Sequence, residues 1–144
     1  MNTALIGLDY IVDIMHPDGR IARCAEQAAL RGVVARFNRA LAVAEQRGWL
    51  RIAVRVGFEP GYPDLPEHSP IFAAAQALGA LDLCGRGCAF HPDLKRDAVQ
   101  MEVLKPRISA FYATRLEAVL RARRIERLVL AGVSTTWAVQ AAAR

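Results

Sequence analysis

The sequence predicts an α/β fold, a three-layer, doubly wound and mainly parallel sheet. Two observations carry that reading. Short apolar runs alternate with stretches of helical periodicity along the chain, the pattern of βαβ units with right-handed crossovers. Asp9, Lys105 and the Gly132–Ala138 turn also each follow directly behind a predicted strand, which sets all three at the carboxyl edge of one sheet, where α/β crevices lie.

The elements follow in order. Ala4–Leu8 is an apolar run closed by Asp9 and reads as a buried strand. From about Arg23 to Arg47 apolar residues recur at helical spacing (Leu30, Val33, Phe37, Leu41, Ala44), and Gly48 supplies the stop. Arg51–Val56 is a second strand. Gly57–Pro70 carries four prolines and two glycines and is a long loop. Ser69 and Pro70 cap and open a short helix through about Leu78. Met101–Leu104 is the third strand. Thr114–Glu117 has capping-box form ahead of a helix buried through Leu116, Val119 and Leu120. Arg127–Ala131 is the fourth strand, and Gly132–Thr136 leads into a last helix.

At 144 residues the chain suits one domain, 1–144, with no second boundary, internal repeat or low-complexity tract. Apolar residues at 53% and charged residues at 23% describe a globular protein rather than a disordered one. No apolar run approaches a membrane span and no signal segment opens the chain, so a cytoplasmic protein without a membrane partner is expected. Three cysteines (Cys24, Cys84, Cys88) argue against a disulfide framework. The net charge of +5 is spread along helix-like segments. Its one dense cluster, Arg121, Arg123 and Arg124, falls where cations complement a helix C-terminus, and no nucleic-acid partner is expected. Cys84, Cys88 and His91 are too loosely spaced for a zinc knuckle, and His16 and His68 lack ligand spacing; neither metal nor cofactor is assigned.

The strand ends thus offer a carboxylate, an ammonium and a helix N-terminus to one crevice. An Asp–Lys pair tuned by burial exchanges protons near neutrality, and helix-start amides stabilise a developing oxyanion. Taken singly, Asp9 is an ordinary turn-former and Lys105 an ordinary surface lysine; the convergence is what favours chemistry. Phe58, Phe111, Tyr112 and Trp137 are candidate pocket walls for a small molecule, each with core packing as the plainer reading.

The stretches ALIGLDYIVDIMHPDG, VLKPRISAFYATRLEAVLRARRIERLVLAGV and GVSTTWAVQAAAR resemble the isochorismatase-like, or cysteine hydrolase, family, from about residue 3 to the last. The resemblance implies an Asp, Lys and Cys triad, with Asp9 and Lys105 in the first two roles and Ala138 at the nucleophile position. It further implies a cis peptide between Val133 and Ser134, an oxyanion site at the backbone amides of Ser134 and Ala138, and a homo-oligomer. Alanine cannot attack a carbonyl, so the thioester route is closed to this chain. Three readings remain: a Cys-to-Ala change engineered to trap substrate, a natural member hydrolysing a vinyl ether by aspartate acid/base chemistry, or a silent relative that binds a ligand or supports a complex. The metal-binding Asp and His set of nicotinamidases has no match between Arg55 and Leu65. Members of the family continue past the final Ala–Arg, so a C-terminally incomplete fold is expected.

Overall fold

The computed structural model describes residues 1–144. The strands β1 (Thr3–Leu8), β2 (Leu50–Val56), β3 (Met101–Lys105) and β4 (Arg127–Gly132) form one sheet in the order β3-β2-β1-β4, every neighbouring pair parallel. This is the α/β architecture expected from the alternation of elements. All six residues of β1 are buried, which is why it reads as an unbroken apolar run. β4 lies at the sheet edge and is only partly covered.

Helices cover both faces. On one, Leu116 and Leu120 of α5 (Leu116–Ala122), with Ala138 and Ala142, pack on Ala4, Ile6, Leu8, Ile52, Val54 and Val103. On the other, Phe37, Leu41 and Ala44 of α3 (Val33–Gln46) pack on Leu5 and Ala53. Phe37 comes so close to β1 that a Cβ on Gly7 would run into its ring. That approach accounts for a glycine in the middle of a buried strand. A third cluster joins Phe72 and Ala75 of α4 (Pro70–Leu78) to Ile11, Val56 and Phe58.

Two expectations need correction, and one element was not foreseen. The helix read across 23–47 is two helices, α2 (Ala25–Leu30) and α3. Gly32, at φ +58°, breaks them in the left-handed region, and Leu30, counted on the apolar face, is exposed. The capping box is not formed as read. Thr114 Oγ1 accepts from the Leu116 N–H (3.2 Å), but Glu117 pairs with Arg121 across one helical turn rather than reaching back. Lastly, the sequence reading passed over a short α1 (Val12–Met15), too brief for a periodic signal. The loop after β2 and the Ser69–Pro70 helix start lie where expected, although the Ser69 side chain makes no capping bond. The chain closes with a wide helical turn, Thr135–Val139, running into α6 (Gln140–Ala143). No helix is long and apolar enough to cross a membrane.

Candidate active site

β1 ends at Leu8, which is in register with Val54 of β2 and Gly132 of β4, while Val56 of β2 faces Lys105 of β3. The residues following these positions therefore converge at one sheet edge. Asp9 adopts φ +60°, a left-handed conformation that Asp tolerates better than most residues. Its N–H donates to the Val54 carbonyl (2.8 Å), and its Oδ1 accepts from the Val56 N–H (2.9 Å). The carboxylate is thereby fixed over the end of the neighbouring strand.

Lys105 reaches across β2 to meet it. Its Nζ lies 2.8 Å from Asp9 Oδ2 and donates to the Ile108 carbonyl at 2.8 Å. The Lys105 side chain is 1% exposed and that of Asp9 5%, so the pair sits in a low-dielectric setting. Burial pushes the Asp9 carboxyl above its ordinary range; the Lys105 charge, and hydrogen bonds from Lys105 and Val56, pull the other way without overturning it. A carboxyl shifted in that direction is suited to proton exchange nearer neutrality.

The third strand end is the turn after β4. The Val133–Ser134 peptide bond is cis. Ser134 precedes the wide turn and its Oγ accepts from the Trp137 N–H (3.3 Å). Of the two amides expected to line an oxyanion site, that of Ala138 is already engaged, donating to the Ser134 carbonyl at 3.0 Å alongside Val139 at 3.2 Å. The wide turn folds both back on one acceptor. The Ser134 N–H has no protein acceptor and is free to donate to a ligand. Ala138 is buried in the same cluster as Leu8, Val103 and Ala110.

The aromatic candidates separate. Trp137 is 56% exposed beside the turn, Tyr112 is exposed beneath the Arg107 guanidinium, and Phe111 is half-buried against the α5 side of the core. Phe58 is fully buried, edge-on to Phe72 at 5.1 Å between centroids, and has no face left for a pocket. It is a core residue, drawn in by the apolar underside of α4. Cys84 is exposed, whereas Cys88 is buried, bonds the Val56 carbonyl through sulfur (3.5 Å), and has its thiol pushed up to about 12 by burial. No group of three or more His, Cys, Asp or Glu is arranged to hold a metal ion.

Two features escaped the sequence reading. Asp13 is buried and clamps two loops, accepting from the Arg20 N–H (3.1 Å) and the Leu81 N–H (2.7 Å). His16 and His91 lie with ring centroids 5.2 Å apart, and each Nδ1 accepts from the backbone N–H of the aspartate two residues on, at 3.1 Å in both cases. The tripeptide His-Pro-Asp, which occurs at 16–18 and again at 91–93, was the signal available for that contact.

An Isochorismatase domain model matches residues 3–144. The ureidoacrylate amidohydrolase RutB of Yersinia enterocolitica is 27% identical over 129 residues, which is 81% of this chain and 56% of that protein. RutB of Methylobacterium radiotolerans is 29% identical, covering 99% of this chain and 60% of its own length. The chain thus spans under two thirds of the length of these curated relatives. Among solved structures, a cysteine hydrolase from Pseudomonas syringae pv. phaseolicola superposes with a TM-score of 0.83 at 19% identity, over 97% of this chain and 63% of that one. An isochorismatase family protein from Desulfovibrio vulgaris gives 0.82 at 22% identity, over 97% of this chain and 71% of that one. Identities this low speak to the fold alone. With the domain match running from β1 to the last residue, the chain belongs to the isochorismatase family.

Proposed function

We propose that the Asp9–Lys105 crevice binds a small amide-type or vinyl-ether molecule and hydrolyses it by acid/base catalysis without a covalent intermediate. The observation that carries this is the buried 2.8 Å ion pair at the strand ends beside the Ser134 turn. Ala138 stands at the nucleophile position, so the oxygen that attacks is that of water. Asp9 accepts its proton as the bond forms, and the Lys105 ammonium keeps the carboxylate competent for that transfer in a buried site. The free Ser134 N–H holds the substrate oxygen that gains charge. For an amide, breakdown returns the proton from Asp9 to the leaving nitrogen. For a vinyl ether the order is reversed: protonated Asp9 donates to the terminal alkene carbon, and water adds to the resulting oxocarbenium carbon as its proton passes to Asp9. The hemiketal then releases the alcohol, so that Asp9 ends each cycle as it began. The similarity to the two RutB proteins, ureidoacrylate amidohydrolases, favours ureido and carbamoyl amides as the first compounds to try. Product release from such amides should be measured for the parent and for Asp9→Asn. Turnover present in the parent and abolished in the variant supports the reading, and equal rates overturn it.

A second reading keeps the site and removes the chemistry. The Ala138 amide is engaged and the site has no thiol, which suits a protein that binds its ligand without turning it over. Saturable binding of the same amides with no product over long incubation distinguishes that case.

A further inference from the structure

At the opposite edge of the sheet, where the strands begin, a cavity of about 240 Å³ is lined by Asn2, Thr3, Trp49, Arg51, Gln100 and Arg123, among others. Arg51 and Arg123 line it, Arg47 after α3 and Arg127 on β4 border it through Trp49, over which both are stacked, and Arg121 and Arg124 flank Arg123 at the end of α5. Arg51 is neutralised by Glu45 (3.2 Å) and Arg121 by Glu117 (2.7 Å). Arg47, Arg123, Arg124 and Arg127 have no ion-pair partner, and the remaining carboxylate nearby, Glu126, accepts from the Asn2 N–H instead. Helix C-termini explain cations at the ends of α3 and α5, but not Arg127, which opens a strand. Arg47 and Arg127 are instead stacked over Trp49, each 5.4 Å from the ring centroid, and Arg127 Nε also donates to Thr3 Oγ1 (3.2 Å). Gathering unpaired cations raises the potential of a concave site and concentrates anions there.

We propose that this cavity is a binding site for a small, multiply charged oxyanion, a phosphate or pyrophosphate group, separate from the Asp9–Lys105 crevice. Guanidinium forks match phosphate oxygens two at a time, and the Trp49 stack limits the freedom Arg127 loses on binding. The polar Asn2 and Gln100 suit the rim of such a site. Titration of the full chain with sodium pyrophosphate by isothermal calorimetry tests it. Saturable one-to-one binding that weakens with added sodium chloride is expected, with Arg123→Gln and Arg127→Gln each lowering affinity about tenfold. Glu67→Gln, an exposed change in the loop after β2 at the other sheet edge, should bind pyrophosphate as the parent does. Arg123 is exposed and off the core, so its variant carries the test if Arg127→Gln folds poorly. No saturable heat at millimolar pyrophosphate, or undiminished affinity in Arg123→Gln, overturns the proposal.

Discussion

Replacing Lys105 by Met leaves the Asp9 carboxyl buried with one remaining donor, the Val56 N–H at 2.9 Å. Replacing Asp9 by Asn leaves a 1% exposed ammonium facing an amide and the Ile108 carbonyl. Breaking a buried pair from one side costs about 3–5 kcal/mol, a large share of the roughly 5–15 kcal/mol that holds a domain folded. For a chain of this size that is a fall in thermal midpoint of roughly 10–17 °C. The double variant, with Met and Asn in place of the charges, restores most of the loss because no uncompensated charge remains. The cost also depends on pH in a defined direction. Burial raises the Asp9 pKa above its ordinary 3.8, so between those values the native state holds a proton that the unfolded chain releases. This carboxyl's contribution to stability therefore falls as pH rises through that window. Without Lys105 the window widens, so Lys105→Met should lose most at neutral pH and progressively less toward pH 3.8. Urea unfolding of the four proteins at several pH values measures all of this. Single variants within about 1 kcal/mol of the parent, with additive effects in the double, would refute a tightly paired buried site.

Two further expectations concern the scaffold. Gly7→Ala should destabilise by about 1–3 kcal/mol through its collision with Phe37, and Phe37→Leu in the same chain should recover part of the loss; urea midpoints of the three proteins decide it. Alkylation at mildly alkaline pH, followed by peptide mass spectrometry, should label the exposed Cys84 in the native protein and Cys88 only after unfolding, since burial holds that thiol near 12. Native-state labelling of Cys88 would mean that the cluster around Phe58 opens.

The sheet was legible because its signal is local. A six-residue buried strand such as Thr3–Leu8 reads as an apolar run in any context, and the strand-end positions of Asp9 and Lys105 follow from counting. Their contact was not legible, since it depends on Lys105 crossing β2 and on the left-handed turn at Asp9, neither of which has a periodic signature. Phe58 could be read as pocket wall or, more plainly, as core, and sequence alone does not choose between them because burial of an aromatic in a proline-rich loop depends on α4 folding over it. The break between α2 and α3 needed weight on Gly32, which an amphipathic stripe running across it conceals. The arginine pole was only partly visible. Arg123 stands in a basic run visible in the sequence, but Arg51 meets it at the cavity, with Arg47 and Arg127 stacked over Trp49 beside them, only when helix ends and strand starts come together.

The proposed hydrolysis takes the Asp9–Lys105 crevice to be a hydrolase site with Ala138 at the nucleophile position. Ala138→Cys places a thiol at that position. Incubated with a carbamoyl or ureido amide and examined by intact-protein mass spectrometry, it should gain the mass of the acyl group as ammonia or amine leaves, and should lose that gain when Asp9→Asn is added. An Ala138→Cys protein that folds like its parent yet acquires neither adduct nor amidase turnover with any of these amides would contradict the account.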